Sequence, residues 1–185
     1  MITLYIIIGV AVLAILIFVG IYNSLVARKN RVQEAWADIE VQLKRRYDLI
    51  PNAVETVKGY AGHEQQVFRQ VTEARSRAMQ AASPREKEAA EGALTGALKS
   101  LFAVAENYPQ LRANENFMGL QQSLSQVEEA LQGARRYYNA VVRDYNTKLT
   151  VFPDRFIAQA GGFQSKGFFQ LDSAQEAQAP KVSFS

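Results

Sequence analysis

The chain has no cysteine among its 185 residues, so disulfides and thiol chemistry are excluded. It has one histidine, His63. A zinc-hydrolase helix needs a second histidine four residues on, and Val67 stands there instead. A carboxylate di-iron centre built from Glu-x-x-His motifs needs histidine on two helices. Glu128 and Glu129 are adjacent and therefore lie on different helix faces. Gly92 and Gly96 lack the GxxxxGK[ST] spacing of a phosphate loop. Nothing pairs a serine or lysine nucleophile with a base. No catalytic, cofactor-binding or metal-binding residue is assigned, no cofactor is expected, and the chain reads as non-enzymatic.

The most informative absence is charge. No charged side chain occurs before Arg28, and Lys29 and Arg31 follow at once. Between, Ile2 to Tyr22 is almost wholly apolar. At about 1.5 Å per residue this run spans roughly 31 Å as a helix, close to the roughly 30 Å of bilayer hydrocarbon. A cleaved signal peptide has a basic start, an apolar run of about 7–15 residues and a small-residue cleavage site. None of the three is present, so an uncleaved anchor is expected. Lysine and arginine accumulate on the cytoplasmic side of a span. The cluster after Tyr22 therefore predicts an N-terminus that faces out and a body in the cytoplasm. Tyr5 and Tyr22 stand where interfacial aromatics stand. Gly20 and Ser24 form a small-xxx-small pair that lets two spans pack closely. Net charge is +3, and the excess of bases falls in residues 28–82. That distribution suits lipid headgroups better than the basic stripe of a nucleic-acid binder, so no nucleic-acid partner is expected.

After the anchor (1–27) the pattern is helical. Val32, Trp36, Ile39, Leu43, Tyr47, Ile50, Val54 and Val57 recur at spacings of three or four. Pro51 interrupts the run, which is either one kinked helix or two helices broken at Asp48–Pro51. The pattern continues through Tyr60, Val67, Val71 and Ala74, weakened locally by Gly59 and Gly62. Ser83, Pro84 and Glu86 read as N-cap, N1 and N3 of a third helix that reaches about Asn107. Its Gly92, Ala93, Gly96 and Ala97 allow another helix to approach. Residues 108–116 connect to a fourth helix from about Glu115 to Thr150, stopped by Phe152-Pro153. No alternating strand pattern appears. The expected fold is all-α: a transmembrane helix followed by a long-helix, up-and-down four-helix bundle (28–153). An aromatic and glycine-rich segment (154–171) and a polar tail expected to be disordered (172–185) complete the chain.

Several residues are candidates for interaction. Arg45-Arg46 and Arg135-Arg136 read either as salt-bridge partners of acids on facing helices, such as Asp48 or Asp144, or as a site for an acidic partner. Tyr138-Asn139 and Tyr145-Asn146 repeat at seven residues and share a face. They satisfy polar groups inside the bundle or form an interaction patch. Phe163, Phe168 and Phe169, with Phe156 and the bases Arg155 and Lys166, either cover the bundle end or sit at headgroup level.

Several stretches together carry a resemblance: residues 35–64 (AWADIEVQLKRRYDLIPNAVETVKGYAGHE), 105–117 (AENYPQLRANENF), 134–146 (ARRYYNAVVRDYN), Phe152-Pro153 and Tyr22–Val26 (YNSLV). In this order the chain resembles LemA family proteins from about Tyr22 to Phe169. The resemblance implies a bacterial, single-span, helical protein with a four-helix up-and-down bundle. It implies no enzyme activity, and membrane or envelope roles, one branch being tied to a specialised membrane organelle. The expected location is the bacterial inner membrane.

The helix count bears on the aromatic segment. Four helices after the membrane, broken at Pro51, return that segment to the bilayer. If residues 28–82 are instead one kinked rod, the same count sends it to the far end. Two functions follow as expectations. The first is a membrane-anchored helical scaffold that self-associates at the cytoplasmic face, with the lipid bilayer and further copies as partners. The alternative is an adaptor or regulator of another membrane protein complex.

Overall fold

The computed structural model describes residues 1–169; the tail 172–185 lies outside the described residues. Six α-helices follow in order: α1 (Ile2–Lys58), α2 (Gln65–Gln80), α3 (Pro84–Glu106), α4 (Pro109–Arg112), α5 (Glu115–Thr150) and α6 (Asp154–Ala160). No strand occurs among the described residues. The all-α fold with an apolar N-terminal helix is as the sequence predicts.

α1 runs through Pro51 without a break in its assignment. Proline has no N–H to give to the carbonyl four residues back, which is that of Tyr47. Arg75 Nε on α2 donates to that carbonyl at 2.8 Å instead. The orphan acceptor is thus satisfied from another helix, and the chain need not break there. The break falls at residues 59–64, where Gly59 and Gly62 lower helicity and a turn runs from Lys58 to Gln65. After the apolar run the chain therefore still has four long helices, the rest of α1, α2, α3 and α5, while α1 stays continuous through Pro51.

Two compact units are present. Unit 2 comprises Leu43–Glu129 with Phe169. It is built from the second part of α1, α2, α3, α4 and the first part of α5. Tyr47, Ile50, Val57, Phe68, Val71, Leu94, Leu101, Leu111 and Phe117 are among its buried apolar residues. α3 opens with a full capping box: Ser83 Oγ accepts from Glu86 N–H at 3.2 Å and the Glu86 carboxylate accepts from Ser83 N–H at 3.1 Å. The Ser83 backbone and hydroxyl bonds hold the Glu86 carboxyl below its usual range. Asn114 caps α5, accepting from Phe117 N–H at 3.0 Å, and donates to the Tyr60 hydroxyl at 3.0 Å.

Unit 1 comprises Met1–Gln42 and Ala130–Phe168. Residues 1–20 are exposed throughout. An apolar helix with no buried face is not a core helix, and this one is long and apolar enough to cross a membrane. From Leu25 on, α1 acquires a buried stripe of Leu25, Val32, Ala35 and Ile39. Leu131, Tyr138, Val141, Val142 and Tyr145 are the buried apolar residues of the α5 portion. Trp36, half-buried, meets Tyr138 edge to face at 5.4 Å between centroids.

Candidate membrane-proximal site

In unit 1 the chain after α5 turns, forms the short α6, turns again at Gly161-Gly162 and runs extended from Phe163 along α5. Three side chains of α5 hold this strap by its backbone. The Tyr145 hydroxyl donates to the Gln164 carbonyl at 3.1 Å, and the Tyr138 hydroxyl to the Gly167 carbonyl at 3.0 Å. Asn146 donates to the Lys166 carbonyl and accepts from the Lys166 N–H, both at 2.9 Å. An extended segment on a helix has no sheet partner for its peptide groups. The amide of Asn146 supplies both halves of one. Burial pushes the Tyr138 and Tyr145 phenols above the ordinary tyrosine value.

Both glycines at the turn are required. Gly162 has φ of +67°, which costs L-residues with a Cβ. A Cβ on Gly161 would lie 2.7 Å from the Phe163 ring. The ring folds back because that space is free, and it meets Tyr22 edge to face at 5.6 Å. Lys148 lies 2.9 Å from the Asp154 carboxylate and fixes the start of α6 beside α5. Phe156 meets Phe152 at 6.1 Å, with Arg155 over its ring at 5.2 Å.

These contacts locate the aromatic segment. Its Phe163 ring is against Tyr22, the last residue of the apolar run. Residues 28–82 thus form two helices, the reading that returns this segment toward the span, but the break falls at 59–64 and not at Asp48–Pro51. The candidate aromatics separate. Phe163 is at the Tyr22 end. Phe168 follows Gly167, which Tyr138 holds beside Trp36, and so lies well up α5 from Tyr22. Phe169 is buried and belongs to unit 2.

The arginine pairs divide in the same manner, one member in and one out. Arg45 and Arg136 are exposed, whereas Arg46 and Arg135 are buried. Neighbours on a helix point about 100° apart. Arg46 Nη1 lies 2.9 Å from Glu91 and 3.3 Å from Glu128, and Nη2 donates to Thr95 Oγ1 at 2.9 Å. The Tyr47 hydroxyl donates to the other oxygen of Glu91. Asp48, expected as a partner of the first pair, meets Lys44 at 3.0 Å, its neighbour one turn back on the same face. Asn139 is half-buried on α5.

Sequence reasoning missed Glu91, the strap and Phe152. Glu91 carries a readable signal: it stands at stripe spacing from Leu94, Leu98 and Leu101, where an apolar residue belongs. The strap has none, because its bonds go to backbone. His63 is exposed in the turn before α2, and no group of three or more potential metal ligands exists among the described residues.

Among the described residues the fold is all-α, with one helix long and apolar enough to cross a membrane, and the segment after α6 returns to the end of that apolar run. A family model described as LemA family matches residues 35–184, and the chain belongs to the LemA family. It is similar to Protein LemA of Metamycoplasma hominis, 25% identical over 163 residues covering 86% of this chain and 73% of that protein. It is also similar to the magnetosome proteins MamQ 1 and MamQ 2 of Paramagnetospirillum magneticum. Each is 24% identical over 191 residues, covering 87% of this chain and 70% of the relative. None of these names denotes an enzyme.

Proposed function

We propose that the chain is a non-enzymatic, membrane-anchored helical scaffold that faces the cytoplasm and self-associates. The observation that carries this reading is α1 itself. One helix, Ile2–Lys58, is at once the exposed apolar span and the first strut of the bundle. The role this suits is positional: the folded part is held at a bilayer through an uninterrupted helix. The buried Arg46, Glu91 and Tyr47 support it further, because they bond to one another within unit 2. Self-association has two supports. Gly20 and Ser24 remain a small-residue pair on the span. On α3, Gly92, Ala93 and Gly96 are exposed, and a Cβ placed at Gly92 or Gly96 meets no atom within 4 Å. A relative named as a magnetosome protein is consistent with assembly work at a membrane. Crosslinking of the full chain in native membranes, followed by purification, tests the reading. Ladders of the chain with itself are expected; monomer alone, with no crosslinked species, overturns it.

A further inference from the structure

We propose that the elbow between α5 and the strap is a second membrane contact, with Phe152 and Phe156 seated in the headgroup–acyl boundary beside the span and Arg155 on the headgroups. The argument is one of level along unit 1. Trp36 and Tyr138 face each other across the antiparallel α1 and α5. From Trp36 back to Tyr22, α1 descends about 21 Å, and from Tyr138 on to Thr150, α5 descends about 18 Å. α5 thus ends about 3 Å short of the level of Tyr22, where the apolar run stops. Phe163, where the strap begins after α6, meets Tyr22, so the chain leaves the elbow and returns at about this level.

At this level the elbow turns apolar side chains outward. Phe152 is 79% exposed and Phe156 56% exposed, with Val151 exposed beside them. In water such a cluster costs on the order of 25 cal/mol for each Å² of apolar surface left wet. At the end of a membrane span the same rings fall where interfacial aromatics settle. The charge agrees. Arg155 lies over Phe156, and Lys166, held at Asn146, lies above it at about the level of Arg28 on α1. Phenylalanine below and bases above is the polarity of a lipid surface. A soluble partner would need the rings without regard to depth.

The inference rests on α1 being in the bilayer, and the test separates the two. The chain has no native cysteine, so single spin labels are introduced by L13C, V41C, F152C and F156C in the full chain. Each is reconstituted into nanodiscs of phosphatidylcholine with and without phosphatidylglycerol. Collision with oxygen, which concentrates in lipid, is compared with collision with a water-soluble nickel chelate. Leu13 in the span should be oxygen-accessible and nickel-protected, and Val41 on exposed α1 the reverse. Phe152 and Phe156 should resemble Leu13, displaced toward the surface, and should deepen when phosphatidylglycerol is added. R155Q should abolish that deepening. Nickel access at Phe152 and Phe156 equal to that at Val41 overturns the proposal, and so does protection from both reagents, which marks a protein cover. Nickel access at Leu13 overturns the anchoring itself.

Discussion

At the scale of single residues, the decisive group in unit 2 is Arg46. A guanidinium 5% exposed is tolerated only if its charge and its donors are met. Glu91 and Thr95 meet them from α3 and Glu128 from α5. Removing one partner of a buried pair costs about 3–5 kcal/mol, because the other charge stays buried and unpaired. Glu91→Ala should fall at the low end, near about 3 kcal/mol, since Glu128 and Thr95 remain. Glu128 is one-third exposed, so Glu128→Gln should cost under about 1 kcal/mol after solvent screening. The double replacement Arg46→Leu with Glu91→Leu should recover most of the Glu91→Ala loss. Denaturant titration of the full chain in detergent measures all three; equal losses for Glu91→Ala and Glu128→Gln would refute the assignment.

Tyr138 and Tyr145 give a second prediction at this scale. Burial raises both phenols above the unfolded value. The folded state therefore keeps protons that the unfolded chain releases. Their contribution to holding the strap is fully present below the unfolded value of about 10 and is lost as pH rises through the folded values. Both should ionise late in an absorbance titration at alkaline pH. Tyr138→Phe with Tyr145→Phe should shrink the late component by these two groups. A single ionisation step that the double variant leaves unchanged in shape would rule this out.

At the scale of elements, α1 shows how a proline is accommodated. Pro51 leaves the Tyr47 carbonyl without its helical donor, and Arg75 from α2 takes the place. Arg75→Met should leave that carbonyl unpaired in a part-buried position, at about 1–3 kcal/mol. Pro51→Ala restores the helical N–H, so in its background Arg75→Met should cost much less. A double-mutant cycle on denaturant midpoints reads the coupling; additive losses would mean that the bond carries nothing. The same element explains what was legible in the sequence. The stripe from Val32 to Val57, the capping box at Ser83 and the bounds of α5 all follow from local periodicity and end chemistry, and all are found. Where α1 stops was not legible, because Pro51 is a stronger breaker than Gly59 by propensity alone. The outcome turned on Arg75, a residue 24 positions away. The candidate site was half legible for a similar reason. Tyr138, Tyr145 and Asn146 stood out by their seven-residue repeat, but their acceptors are peptide groups of Gln164, Lys166 and Gly167, which no side-chain pattern announces.

At the scale of the whole molecule, charge predicts which side of the bilayer holds the folded part. Arg28, Lys29 and Arg31 follow the apolar run within ten residues of Tyr22. Each base moved across the hydrocarbon meets a barrier of about 2.5–3.5 kcal/mol at its centre, and the bias accumulates over bases close to the span. The predicted state has the N-terminal end outside and Leu43–Glu129 in the cytoplasm. The absence of native cysteine permits a direct reading with a membrane-impermeant maleimide. A cysteine at Thr3 should react in spheroplasts, whereas one at exposed Lys99 should react only after lysis. Arg28, Lys29 and Arg31 replaced together by glutamine should raise the inverted fraction, read as Lys99 labelling before lysis. If the Lys99 position is labelled in intact spheroplasts of the unaltered chain, the orientation is reversed. The scaffold then faces the envelope, with its aromatic elbow on the outer leaflet.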